Sequence, residues 1–254
     1  MNQKCVNSGG ESTLICAEQP LKLEQQFNLA ATAIAAAKLW QVRCGEIITV
    51  RDSKHNWFRA RIAQLDEQLL TIVPFESLPQ PESALEICVF QALPDKERFE
   101  LVLQKLTEIG VSHIVPFMSK HSSTLQQRDA GQKKSHRWPD VVLRAARQCR
   151  RAMVPQLFAV HTWDEVLEQL DAWDTKLILD ARVGTWSMCE GVGSGQPNRV
   201  AIIVGPEGGF ATDEIAQAQG CGAVPVTIGP RILRTETAAI VAAALVQHLA
   251  GDYA

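Results

Sequence analysis

Apolar and polar positions follow two different rhythms along this chain, and the change falls near residue 84. Residues 1–20 are polar and aperiodic, which predicts an irregular start, and residues 29–39 are rich in alanine and read as a helix. Three runs, 47–50, 57–62 and 69–73, carry β-branched and aromatic residues. The turn-prone stretches 52–56 and 66–68 part them, so they read as strands. Three short strands around a helix predict a small β-barrel. Pro74, Pro79 and Pro81, set among Glu76, Ser77, Glu82 and Ser83, predict a linker. The expected division is a β-rich domain over 1–78 and a second domain over 84–254.

In the second domain, apolar runs of strand length alternate with helix-spaced stretches, the grammar of a parallel sheet in an α/β fold. Strands are expected at 85–90, 113–118, 156–160, 176–180, 199–204 and 223–228. Asp95 opens a helix with Phe99, Val102, Leu103, Leu106 and Ile109 at helical spacing, and Gly110 stands where such a helix ends. Pro139 suits the first turn of the next helix, whose apolar side is Val141, Val142, Ala145, Ala146 and Cys149; Pro155 ends it. A further helix is expected over 163–173 and a flexible glycine-containing loop over 184–198. Thr235 is placed to cap a last helix of small residues reaching 249.

Two of these strands end in turns of unusual composition, each leading into a helix. The first turn is Val204, Gly205, Pro206, Glu207, Gly208, Gly209 and Phe210; the second runs from Ile228 and Gly229 through Arg231, Ile232, Leu233 and Arg234 to Thr235. Open α/β sheets bind ligands beyond the carboxyl ends of their strands. Glycine admits positive φ and close approach of a ligand, and proline stiffens the same turn. The two turns are about one βα repeat apart, and together they predict a ligand site.

These residues carry a family resemblance. Gly205-Pro-Glu-Gly-Gly and Ile228-Gly-Pro-Arg-Ile-Leu-Arg-Thr-Glu-Thr-Ala resemble the signature of the bacterial 16S ribosomal RNA uridine-N3 methyltransferases, within the SPOUT class of S-adenosylmethionine-dependent enzymes. The resemblance implies a deep trefoil knot near the C-terminus, a PUA-like N-terminal domain that helps hold RNA, a homodimer, and small-subunit ribosomal RNA as substrate. It implies cofactor contacts from Val204, Gly205, Pro206, Glu207, Gly208, Gly209, Ile228, Gly229, Ile232, Leu233 and Thr235. Glu207 either faces a partner subunit or starts a helix. The sequence departs from the family pattern elsewhere: Lys120-His121-Ser122 stands for Glu-Arg-Ser. Arg144-Ala-Ala-Arg147-Gln-Cys-Arg150-Arg151 stands for Glu-Ala-x-Glu-Gln-x-Gly-Arg, and Ala35-Ala-Ala-Lys38-Leu-Trp-Gln41 for an N-terminal His-Leu-x-x-Val-Leu-Arg.

Charge then sharpens the picture. The net charge of −3 argues against bulk nucleic-acid binding, but Lys133, Lys134, Arg137, Arg144, Arg147, Arg150 and Arg151 face a single acid, Asp140. Arg144, Arg147 and Arg151 fall at i, i+3 and i+7, one face of a helix; with Arg150 they are the expected RNA-binding residues, against the plainer reading of a solvated helix face. The seven cysteines include no Cys-x-x-Cys clip and the histidines show no metal-ligand spacing, so a reduced cytoplasmic protein without a metal is expected. No apolar run reaches the roughly 18 residues of a membrane span, and residues 1–8 do not read as a secretory signal.

Other familiar sites are set aside. There is no Gly-x-x-x-x-Gly-Lys phosphate loop and no Gly-x-Ser-x-Gly elbow, and Gly191-Val-Gly-Ser-Gly195 lacks the spacing of a dinucleotide fingerprint. For methyl transfer to uracil N3, negative charge develops on the uracil oxygens, and a fixed arginine there stabilises it. Arg234 is the first choice and Arg231 the second, against the reading of an arginine that braces its own loop. Two rivals stand beside an rRNA methyltransferase: a non-catalytic RNA-binding relative that keeps the fold, and a methyltransferase of the same fold acting on tRNA.

Overall fold

The computed structural model describes residues 5–94, 96–122, 137–181 and 186–253. Asp95, Lys133, Lys134 and the first two residues of the expected 184–198 loop lie outside them. The chain folds as two compact units, one of Ser8–Glu82 with Leu143–Pro155, the other of Met1–Asn7, Ser83–Val142 and Gln156–Ala254.

In the first unit, β1 (Phe27–Leu29), β2 (Ile47–Arg51), β3 (Trp57–Leu65) and β4 (Leu70–Leu78) form an antiparallel sheet in the order β1-β4-β3-β2. Helix α1 (Ala31–Leu39) buries Ala33, Ile34, Ala36 and Ala37. Strand β4 runs straight through Pro74, which therefore belongs to the sheet and not to a linker. The ladder slips between Arg59 and Ala60 beside the proline, the kind of irregularity that lets a strand carry a residue with no N–H to donate. Strand β1 escapes sequence reading because three residues are too few to show a period.

Glu82, likewise read as linker, is buried and gathers its surroundings. It accepts from Arg151 Nη2 (2.7 Å), Ala152 N (2.7 Å) and Met153 N (3.0 Å). Through it and through Thr13 Oγ1, which accepts from Val154 N (2.9 Å), residues 143–155 are fastened into this unit.

The second unit is built on seven parallel strands in the order β7-β6-β5-β10-β8-β11-β9. They are β5 (Glu86–Ala92), β6 (His113–Phe117), β7 (Gln156–Leu157), β8 (Thr175–Leu179), β9 (Trp186–Ser187), β10 (Arg199–Val204) and β11 (Val224–Thr227). Six of the seven β5 residues are buried, as a central parallel strand with both faces covered requires. The helices are α2 (Lys96–Glu108), α3 (Trp138–Gln148), which belongs to the first unit from Leu143 on, α4 (Trp163–Gln169), α5 (Met188–Val192), α6 (Thr212–Gly220) and α7 (Thr235–Ala250).

Three expectations are corrected here. The stretch read as a loop holds β9 and α5, the latter started by a capping box between Ser187 and Glu190. The helix over 163–173 is α4 followed by a 3-10 turn, Leu170–Ala172. Thr235 is not the cap of α7 but its first residue; Arg234 holds the cap position.

One topological fact places the site. Strand β8 lies between β10 and β11, so the turns that follow β10 and β11 flank the carboxyl end of β8.

Candidate active site

The two turns and the end of β8 line one cavity of about 550 Å³. Its walls hold every residue that the sequence marks for the cofactor and both candidate catalytic arginines, together with Leu179, Asp180, Ala181, Phe210, Val226 and Ala238. Leu179, Val204, Val226 and Leu233 make it apolar on several sides, and Asp180, Glu207, Arg231 and Arg234 supply charge. Among the described residues no group of three or more His, Cys, Asp or Glu is placed to hold a metal.

The first turn is shaped by close packing. A Cβ on Gly205 would stand 3.0 Å from Phe210 Cε2, and one on Gly208 3.1 Å from His121 Cβ. The turn is closed by Gly209 N donating to Pro206 O (2.9 Å), with Gly209 at φ 68°, where a side chain is strained. Phe210 anchors its far end against Phe117 and Trp163 (ring centroids 6.4 and 5.7 Å). His121 also bonds to it, Nδ1 lying 3.0 Å from Gly209 O. Lys120 pairs with Asp213, which raises the lysine pKa and lowers that of the aspartate. Lys120 and His121, two of the residues that depart from the family pattern, thus support the helix after the turn and the turn itself.

Thr235 joins the second turn to the first. Its hydroxyl donates to Gly205 O (2.5 Å) and accepts from Gln91 Nε2 (3.0 Å), which also donates to Ala92 O (2.8 Å). Thr235 cannot cap α7 because its hydroxyl is engaged here. Gln91 is fully buried at the end of β5; nothing in the sequence pointed to it, since a lone glutamine in an apolar strand reads as noise.

Arg98 on α2 was missed as well. Its guanidinium meets Glu207 (2.8 Å) and approaches Glu236 at the start of α7 (4.0 Å), so one side chain spans both turns. Glu207 does not start a helix, because α6 begins at Thr212.

In the second turn, Gly229 has φ 126° and Thr227 Oγ1 donates to its carbonyl (3.1 Å). The N–H groups of Gly229, Ile232 and Leu233 make no hydrogen bond among the described residues, which leaves them for a ligand or solvent. Ile232 is 88% exposed. Arg231 and Arg234 are exposed on the cavity wall, and neither guanidinium has an ion pair or a hydrogen bond to the loop among the described residues. A brace bonded to its own loop would show such contacts.

This donor set fits S-adenosylmethionine. Backbone N–H groups suit an adenine edge, Asp180 and Glu207 suit hydroxyls and a sulfonium, the apolar walls suit the ring, and no lysine is present to demand a phosphate.

Arg144, Arg147 and Arg151, expected on one helix face, do not form one. Helix α3 ends at Gln148; Arg150 is left-handed (φ 64°), and Arg151 N donates to Ala146 O (3.0 Å), a bond that closes helices on such a residue. Arg151 then turns into its buried pair with Glu82. Arg147 pairs with Glu46 (2.8 Å), and Arg144 and Arg150 are exposed.

Residues 81–247 match the model of a family described as an RNA methyltransferase domain, and the chain belongs to that family. Within it, the chain is similar to proteins called ribosomal RNA small subunit methyltransferase E. The one from Mesomycoplasma hyopneumoniae is 38% identical over 219 residues, 86% of this chain and 92% of the relative. The one from Neisseria gonorrhoeae, solved bound to S-adenosyl methionine, is 30% identical with a TM-score of 0.67 over 94% of this chain and 98% of that one. A protein from Legionella pneumophila, solved in complex with the bound cofactor SAM, is 31% identical with a TM-score of 0.66 over 94% of this chain and 99% of that one.

Proposed function

We propose that the chain transfers a methyl group from S-adenosylmethionine to N3 of a uridine in 16S ribosomal RNA. The observation that carries this reading is the one cavity that both glycine turns line, the turns being joined by the Thr235–Gly205 bond.

S-adenosylmethionine supplies a methyl carbon activated by the adjoining sulfonium. The backbone of Val204, Gly205, Pro206, Gly208 and Gly209 and that of Ile228, Gly229, Ile232 and Leu233 hold it, with Glu207 placed by Arg98 and Thr235 fixing one turn on the other. Displacement needs in-line approach, so this rigid cradle contributes by positioning. Arg234 is assigned to the uracil oxygens, where negative charge develops as the N3 proton leaves, with Arg231 beside it. Their lack of partners among the described residues favours this over a bracing role.

The sheet of β1 to β4 is taken as part of a PUA-like barrel that helps hold RNA, in a domain of 1–78 that precedes a methyltransferase domain of 84–254. Arg144, Arg147 and Arg150 are assigned to RNA; Arg151 is given a structural part by its pair with Glu82. The trefoil knot belongs to the same proposal, supported by family membership and by the return of α7 onto β5 and β10 after the second turn. A homodimer, a cytoplasmic location and a reaction without metal complete it. No described helix is long and apolar enough to cross a membrane.

The test is direct. Purified protein, metal-free, should bind S-adenosylmethionine in a calorimeter and methylate 16S RNA transcripts or small subunits, with the product mapped by mass spectrometry as N3-methyluridine. Methylation confined to tRNA would favour the rival of the same fold, and RNA binding without cofactor heat would favour the non-catalytic one.

A further inference from the structure

A second cavity, of about 350 Å³, lies wholly within the unit formed by Ser8–Glu82 and Leu143–Pro155. Four arginines reach its walls, and their charges are handled in two different ways. Arg147 is matched by Glu46 and Arg151 by Glu82. Arg59, on β3, is oriented by donating to Thr49 Oγ1 (2.8 Å) on β2 but has no ion-pair partner among the described residues. Arg150 has neither a hydrogen bond nor an ion pair for its guanidinium among them.

These two unmatched charges act on each other. Burial and then the Arg150 charge push the Arg59 guanidinium below its ordinary pKa, and Glu76, its cross-strand neighbour, offsets this only in part. Arg59, half-buried, thus faces a like charge from the exposed Arg150, and an anion between the two would relieve both the burial and the repulsion. The backbone tells the same story at Arg150. Its left-handed φ of 64° is a position that favours glycine, yet a long cationic side chain occupies it and lines the cavity. Beside the arginines stands an apolar wall with Trp40 and Ile47, and Ile47 is 43% exposed. The volume is that of a small-ligand site.

We propose that this cavity takes a nucleotide: Arg59 and Arg150 share one phosphate, and the sugar or base attached to it packs on the Ile47 wall. Resting on the RNA-methyltransferase reading, we take that nucleotide to be one residue of a single-stranded segment of the RNA substrate. A free nucleotide offers the same chemistry, and the test separates the two sources.

The experiment uses the full chain without cofactor and follows binding of a short single-stranded RNA oligonucleotide across a salt series. It compares wild type with Arg150→Gly and Arg59→Gln. Glycine at 150 relieves the left-handed strain, so this variant should melt at or above the wild-type temperature while its RNA affinity falls several-fold. Loss of one phosphate contact should shallow the salt slope by about 0.7. Arg59→Gln should match that loss, and the double variant should lose little more, because both residues serve one phosphate. Competition by uridine monophosphate at far higher concentration than the oligonucleotide marks the site as reading a strand; equal potency marks it as reading a free nucleotide. Unchanged affinity and salt slope in both single variants overturn the proposal, as does displacement by inorganic phosphate as effective as by the nucleotide. Cofactor titration of the same variants should match wild type. Failure of the methyltransferase reading would appear in that titration and leave the RNA result to be judged alone.

Discussion

Two cavities of this protein solve the problem of holding a ligand with opposite materials. The one beneath the glycine turns is framed by backbone and by neutral groups: Gln91, Thr235 and the Gly205 carbonyl set its geometry, and charge enters at Asp180, Glu207 and the two arginines. The one in the other unit is framed by side-chain charge: on its walls Arg147 is paired with Glu46 and Arg151 with Glu82 behind it, whereas Arg59 and Arg150 have no ion pair among the described residues. The contrast follows the chemistry of the proposed ligands. A cofactor with one sulfonium and no phosphate is recognised by shape and by single hydrogen bonds, whereas a polyanion is recognised by charge that must be held apart until it arrives. The first kind of site is stiff and loses function through small misplacements; the second loses stability when an ion pair is broken.

The largest effect should come from breaking such a pair. Glu82→Ala removes the carboxylate that Arg151 Nη2 and the N–H groups of Ala152 and Met153 share. Removing one partner of a buried pair costs about 3–5 kcal/mol, to be measured by denaturant unfolding of the full chain. Cofactor affinity of the native protein should stay at the wild-type value. A variant of unchanged stability would show that residues 143–155 are held by something else.

Next comes Arg234, whose proposed work is confined to the transition state. Arg234→Lys keeps the charge but loses the planar fork of donors. Losing a fixed donor to a developing oxyanion costs about 2.7–4 kcal/mol, roughly a hundredfold or more in single-turnover methylation. Affinity for cofactor and RNA should remain within a few-fold. If cofactor affinity and melting temperature fall in step with the rate, Arg234 is a brace of the turn.

The same contrast decides what was legible in the sequence. The cofactor cavity draws on three short stretches, 179–181, 204–210 and 226–238, and each follows a strand whose apolar run is plain to read. Parallel-sheet grammar then suffices to bring the turns to one edge. Gln91 and Arg98 stayed hidden because a buried polar contact in a strand or helix has no local signature; only the fold reveals that they meet Thr235 and Glu207. The arginine cavity joins residues 15 to 59 with 147–151, so no window of sequence contains it. Helical spacing placed Arg151 beside Arg144 and Arg147, but the helix stops at Gln148 because Glu82, remote in sequence, draws the next turn inward. Pro74 misled for a related reason: a proline breaks a strand only where the ladder asks for its N–H, and a register shift removes that demand.

A smaller effect is expected at the joint between the two turns. Thr235→Val keeps the shape but deletes the bonds to Gly205 O and from Gln91, leaving Gln91 Nε2 with one partner of its two. Stranding a buried polar group costs about 1–3 kcal/mol, shared between melting temperature and cofactor affinity, both read on one preparation. Thr235→Ser, which retains the hydroxyl, should sit close to wild type. A valine variant with unaltered cofactor affinity would show that the turns hold their spacing without the bond.

The smallest effect tests whether the charge-framed unit is also the acid-sensitive one. Asp52 is buried at the turn between β2 and β3 and accepts from Leu21 N (3.2 Å), Lys54 N (2.9 Å) and Asn56 N (2.8 Å). Burial alone would raise its pKa, but the donors from Asn56, Leu21 and Lys54 outweigh it and hold the carboxyl below its ordinary value of 3.8. A carboxylate whose folded pKa is depressed stabilises the protein fully above its unfolded value and loses that contribution as pH falls through the folded one. Asp52→Asn keeps one acceptor oxygen and gives up the other, so about 1 kcal/mol should be lost at neutral pH. The gap between wild type and variant should stay level down to about pH 4 and narrow below it, as the wild-type carboxyl takes up its proton. The Gln91–Thr235–Gly205 relay has nothing to titrate in that range, so the stability difference between Thr235→Val and wild type should keep its size over the same series. A gap at Asp52 that stays constant to pH 2, or a matching decline at Thr235, would erase the distinction between a site framed by charge and one framed by neutral bonds.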